Sequence, residues 1–69
     1  MKLHYYRDTD SLYIDMAEHA GIDSREISED LVVDYGEDGR IVGLDIQHAS
    51  LCLDLSKIET EHLPLTISI

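Results

Sequence analysis

His48 and Cys52 stand four positions apart, the spacing at which two side chains share one face of a helix and could give two ligands to a zinc ion. Two ligands are too few for a structural site. His4, His19 and His62 stand at no ligand spacing, so a metal would have to be shared across a subunit interface with the acids nearby. Neither a metal ion nor any other cofactor is therefore expected. Cys52 as a nucleophile would need a base and an orienting group, and only folding could bring His4 or His62 beside it. A small, apolar, buried thiol is the simpler reading. Asp8 and Asp10 sit two apart, like the opening of a calcium loop. The third acid, the glycine and the distal glutamate of such a loop are missing at the right offsets. Asp8 is expected to cap a turn and Asp10 to accept backbone hydrogen bonds within it.

Tyr5, Tyr6, Tyr13 and Tyr35 could form a stacking platform for nucleobases, but such platforms work with lysine or arginine beside them. Without those neighbours, packing in a core or an interface is the better account. Paired carboxylates abound, yet 15 acids in 69 residues make chance pairs certain, so they do not argue for acid–base catalysis. Gly36 and Gly39 belong to a hairpin rather than to a strand-to-helix phosphate loop. No nucleophile, base and orienter are readable as a set, so no catalytic residue is assigned and a non-enzymatic protein is expected.

Fifteen acidic residues against five basic ones give a net charge of -10. The basic residues, Lys2, Arg7, Arg25, Arg40 and Lys57, are scattered. Binding to phosphate backbones needs clustered cations that displace counterions, so nucleic acid and anionic membrane are excluded as partners of the chain alone. A basic protein partner fits the charge. The N-terminal residues Met1 to Arg7 hold no apolar core of signal-peptide length, and no run approaches the roughly 20 apolar residues of a membrane span. With one unpaired cysteine, a cytoplasmic protein is expected.

The elements that must position these residues begin with Leu31 to Ile46. Two β-rich runs there flank a turn, with Gly39 supplying the left-handed residue and Glu37 and Asp38 at its solvated centre. Setting Gly36 opposite Arg40 places Tyr35 against Ile41, Val33 against Gly43 and Leu31 against Asp45. Val32, Val42, Leu44 and Ile46 then form an opposite face that is also apolar, which implies a second covering surface. Lys2 to Arg7 and Leu12 to Ala17 alternate with period two around Asp8-Thr9-Asp10-Ser11, a second hairpin. Glu18 to Ser24 is a loop, Arg25 to Ser28 a short strand, and Glu29-Asp30 a bend. A helical turn is expected after Gln47-His48-Ala49-Ser50. Ser56-Lys57-Ile58-Glu59 reads as a capping box opening a short helix that Pro64 ends. Leu65-Thr66-Ile67-Ser68-Ile69 alternates as a terminal strand.

The expected fold is thus one α+β domain over residues 1–69: a small antiparallel β-sheet of two hairpins plus a C-terminal strand, with one short helix. A chain this short buries only about 60% of its unfolded surface. With no disulfide and no structural metal to help it, self-association as a homodimer is the expected support.

Three stretches together carry a family resemblance: Tyr6-Arg7-Asp8-Thr9-Asp10-Ser11-Leu12-Tyr13-Ile14, then Val32 to Ile46, then Ala49-Ser50. They resemble the domain of unknown function 2283 family of small prokaryotic proteins. The likeness covers most of residues 5 to 50. It departs from the family pattern at Gly36, where an aspartate is usual, at Leu44-Asp45 in place of Ile-Glu, and at His48. The resemblance implies a small α+β domain with no assigned activity and no catalytic residues to carry over. Pairing with a toxin-like neighbour is an idea raised for some of its members.

These observations favour a non-enzymatic protein-interaction module, a homodimer that binds a basic protein, with an antitoxin-like role as its sharpest form. The alternative is a small metal-dependent protein or enzyme whose site forms between subunits from His48, Cys52 and the acids near them.

Overall fold

The computed structural model describes residues 1–64. Five strands form one antiparallel sheet: β1 (Lys2–Tyr6), β2 (Ser11–Asp15), β3 (Asp23–Ser28), β4 (Leu31–Tyr35) and β5 (Ile41–Ile46), followed by a single-turn helix, α1 (Ala49–Cys52). Their order across the sheet is β1-β2-β5-β4-β3. The loop after β2 therefore carries the chain to the far edge, and β3, β4 and β5 meander back to close against β2. The small α+β fold of hairpins with one short helix is what the sequence leads one to expect. The terminal strand expected at Leu65–Ile69 lies outside the described residues.

The β4–β5 turn forms as its residues require. The Gly36 amide donates to the Arg40 carbonyl at 2.8 Å and the Gly39 amide to the Gly36 carbonyl at 3.0 Å. Gly39 has φ 80°, a conformation that costs a β-branched residue dearly, and the Asp38 carboxylate accepts from the Arg40 amide at 3.0 Å.

Tyr35 pairs with Ile41 as expected, but the register beyond it is corrected by one residue. Asp34 lies opposite Gly43, Val33 opposite Leu44, Val32 opposite Asp45 and Leu31 opposite Ile46, with the irregularity between Asp34 and Tyr35. Val42 is the extra residue of a β-bulge. It is 3% exposed, it packs beside Gly21 and Gly36, and its carbonyl accepts from the Met16 amide at 2.9 Å.

The bulge changes what the hairpin presents. Since side chains alternate along a strand, Leu31, Val33, Leu44 and Ile46 share one face with Leu12, Ile14, Leu3 and Tyr5. The opposite face carries Lys2, His4, Tyr6, Tyr13, Asp15, Ser24, Glu26, Asp34 and Asp45, with Val32 as the apolar residue among them. The hairpin therefore has one apolar face, not two. What needs cover is that single face, and among the described residues the buried apolar side chains are Leu12, Val33, Val42 and Ala49.

The short helix is α1, and no helix forms at the Ser56 capping box. Asp54 captures it first. Its carboxylate accepts from the Ser56 amide at 3.0 Å and from the Ser56 hydroxyl, an Asx turn that competes with helix nucleation. The Glu59 carboxylate, which the box needs at the Ser56 amide, pairs instead with Lys57 Nζ at 2.9 Å. Among the described residues, no helix is long and apolar enough to cross a membrane.

Candidate functional site

Two aspartates in the turns at one end of the sheet organise the residues that could carry chemistry. Asp10 ends the β1–β2 turn with φ 52°, a left-handed conformation that Asp tolerates better than most side chains. Its carboxylate accepts from Tyr5 Oη at 2.7 Å, from Ser50 Oγ at 2.6 Å and from the Ser50 amide at 3.2 Å. The Ala49 amide donates to the Asp10 carbonyl at 2.8 Å. The expected backbone bonds of Asp10 thus come from α1, forty residues away, and not from its own turn. Asp8 is exposed. With Ser50 and Tyr5 on its oxygens, the Asp10 carboxyl is held below the ordinary carboxylate range, first by the Ser50 hydroxyl and then by the Tyr5 phenol.

Asp30 does the matching work from the β3–β4 turn. Its carbonyl accepts from the Gln47 amide at 2.8 Å, and its carboxylate lies 2.9 Å from His48 Nδ1. The Cys52 thiol reaches the other carboxylate oxygen at 3.8 Å. His48 and Cys52 are therefore brought together, though not as helix neighbours: His48 precedes the helix at φ 52°, and both turn towards one carboxylate. Desolvation, and after it the negative charge of Asp30, pushes the Cys52 thiol above its ordinary value. That disfavours the thiolate, the reverse of what a nucleophile needs. Cys52 is also exposed, so the expected buried thiol is corrected. Among the described residues, no three His, Cys, Asp or Glu side chains are arranged to hold a metal ion.

The third cluster lies on the polar face. Tyr13 Oη donates to Asp34 Oδ2 at 2.8 Å and Ser24 Oγ to Asp34 Oδ1 at 2.6 Å, which locks β2, β4 and β3 together over β5. The strand between them at that point is Gly43, where a Cβ would fall 2.0 Å from Tyr13 Oη. The hydrogen bond to Asp34, desolvation and the charges of Asp34, Asp15 and Asp45 push the Tyr13 phenol up to about 12. The tyrosines do not form one row. Tyr13 and Tyr6 are on the polar face, Tyr6 with its ring centroid 4.3 Å from that of His4. Tyr5 and Tyr35 are on the apolar face, Tyr35 under the Arg25 guanidinium at 5.5 Å.

Sequence reasoning missed Asp30, Asp34, Ser50 and Gly43. Asp34 and Gly43 left a signal: a lone acid inside an apolar strand and a glycine inside its partner strand mark a close approach. Asp30 and Ser50 left none, because their partners are remote in sequence.

What these clusters do chemically is hold. Each turn aspartate clamps residues 47–52 with both its carbonyl and its carboxylate, so the end of β5 is fixed between the two hairpin turns. The fold and these clamps define a small antiparallel α+β domain whose clustered turn and strand aspartates are architectural. The family model for "Protein of unknown function (DUF2283)" matches residues 2–50, and the chain belongs to that family. The matched span ends at Ser50, the residue on which the Asp10 clamp closes. No curated protein matches the chain, and no solved structure does.

Proposed function

We propose that the chain is a non-enzymatic protein-interaction module that works as a homodimer and takes a basic protein as its partner, an antitoxin-like role being the sharpest form of this reading. The observation that carries it is the division of the sheet into two unlike surfaces. One face is apolar and thinly covered, which suits self-association. The other sets Asp15, Asp34, Asp45 and Glu26 on a chain of net charge -10, which suits a cationic surface. Tyr6, Thr9, Ser11, Tyr13, Asp45, Gln47 and His48 line an open groove on that polar side, with aromatic and carboxylate groups of the kind that receive arginine side chains.

The experiment is to express the chain together with the product of the neighbouring gene and to titrate the purified pair at low and high salt. A basic neighbour that binds, and binds more weakly as salt rises, supports the reading. The reading is overturned if a basic neighbour fails to bind at low salt. Tightly held zinc that His48→Ala and Cys52→Ala abolish would overturn it in favour of a metal protein.

A further inference from the structure

Among the described residues, nothing closes the apolar face. Leu3 and Tyr5 of β1 and Leu12 of β2 form the floor of an open groove of ≈ 820 Å³, and Leu53, Leu55 and Ile58 of the segment after α1 form its wall. Leu3 is 42% exposed, Tyr5 43% and Ile58 72%. These are side chains of the kind that a globular domain buries.

We propose that this groove is the surface on which a second copy of the chain docks, so that the dimer is built apolar face against apolar face. The proposal rests on the reading above that the chain self-associates, and it names the surface.

Area is the first argument. The chain exposes 5990 Å², against about 4,400 Å² for a compact monomer of its mass. The excess, about 1,600 Å² over the whole chain, is more than the roughly 800 Å² that each partner buries in a standard protein interface, so an interface of that size can be accommodated. A second copy is large enough to cover such a surface, and a two-fold axis lets one patch serve both chains.

Charge is the second argument. Two chains of net charge -10 repel unless they meet where charge is lowest. The groove brings Asp54, Lys57 and Glu59. Lys57 and Glu59 pair with each other, and Ser56 bonds the Asp54 carboxylate. The polar face would instead bring Asp15, Asp34, Asp45 and Glu26 against Lys2 as its one cation on the paired strands, a surplus of like charge that disfavours meeting its own copy. A second copy therefore fits the apolar face, and the acidic face stays open for a basic partner.

The test is analytical ultracentrifugation from about 1 to 200 µM, a range in which a dimer of ordinary affinity dissociates. The intact chain is compared with Ile58→Gln, Leu3→Gln and Leu51→Gln, and with a chain ended at Pro64. The three substitutions leave the charge unchanged. Leu51 is 83% exposed and outside the groove, so it controls for mere loss of surface hydrophobicity. Circular dichroism checks that each variant is folded.

The intact chain should be a dimer. Ile58→Gln and Leu3→Gln should weaken it by roughly tenfold or more, and Leu51→Gln by no more than about twofold. The chain ended at Pro64 should dimerise like the parent. A monomer at every concentration overturns the proposal together with the dimeric part of the functional reading. A dimer that the groove variants weaken no more than Leu51→Gln overturns the groove alone and leaves the dimeric reading standing. Dimerisation that appears only after residues 65–69 are removed also overturns the proposal, because the chain's own terminus would then be the occupant.

Discussion

The phenol of Tyr13 crosses β5 directly over Gly43 to donate a 2.8 Å hydrogen bond to Asp34. A side chain on residue 43 and this hydrogen bond exclude each other: a Cβ there would lie 2.0 Å from Tyr13 Oη and 2.6 Å from Cζ. Gly43→Ala must therefore swing the ring away, and it should cost roughly 2 kcal/mol, the sum of a packing strain and a lost bond. In a Tyr13→Ala background the sign should reverse, because alanine in a strand is otherwise better than glycine by roughly 0.5–1 kcal/mol. Urea unfolding of the parent, the two single variants and the double variant measures both numbers. Equal effects of Gly43→Ala in the two backgrounds would refute the coupling.

The same hydrogen bond has a signature at high pH. Tyr13 is pushed up to about 12, and the Tyr5 phenol is raised by its bond to Asp10. A raised folded value means that the protonated phenol favours the native state. The Tyr13 contribution is thus complete below its unfolded value near 10 and disappears as pH climbs from there towards 12. Absorbance titration of phenolate should show a late component that Tyr13→Phe removes. If the variant titrates with an unchanged late component, the assignment fails.

The hairpins were legible because their determinants are local. Gly39 after Glu37-Asp38 dictates the β4–β5 turn, and Asp8 to Ser11 interrupts an alternating pattern between β1 and β2. The bulge at Val42 was not legible, because what sustains it lies elsewhere in the chain: the Met16 amide on its carbonyl and Gly21 beside its side chain. Without the bulge the register slips by one, and a hairpin with one apolar face looks like one with two. The Ser56 helix failed for a local reason that was in view. Asp54, two residues ahead, takes the Ser56 amide that the capping box needs for Glu59. The clamps of Asp10 and Asp30 depend on α1 returning to both turns, which nothing in their own neighbourhoods announces.

Gly39, at φ 80°, has open space where a side chain would go, so a substitution there meets backbone strain alone. Gly39→Val should destabilise by about 1 kcal/mol or more. Gly39→Asn should cost less, since asparagine tolerates the left-handed region. Melting midpoints decide between them, and equal losses for the two variants would remove conformational strain as the cause.

Exposure suggests that Cys52 should alkylate readily, whereas its electrostatics say otherwise. Desolvation and the Asp30 charge both raise its thiol above the ordinary value, so at pH 8 it should react with iodoacetamide more slowly than free cysteine. Asp30→Asn removes the second cause and leaves the first, so it should speed the reaction by several-fold without reaching the free rate. A parent protein that reacts as fast as free cysteine would show that Asp30 does not govern this thiol.

Asp10 supplies the acid limb of stability. Its carboxyl is held below the ordinary carboxylate range, by the Ser50 hydroxyl first and the Tyr5 phenol second. A depressed folded value means that the ionised form favours the native state. The contribution is therefore present above the unfolded value and is lost as pH falls through the folded one. Ser50→Ala removes the largest cause of the depression, so its melting temperature should fall at pH 7. The gap from the parent should narrow as pH falls through the folded value, where the parent's carboxyl also becomes protonated. Asp10→Asn should lose the same pH dependence while keeping the left-handed turn, whereas Asp10→Ala loses the turn's preference as well and should melt lower than Asp10→Asn throughout. Thermal melts of the three variants from pH 2 to pH 7 separate the two roles. A constant gap between Ser50→Ala and the parent across that range would mean that the Asp10 charge contributes nothing to holding α1 against the first hairpin.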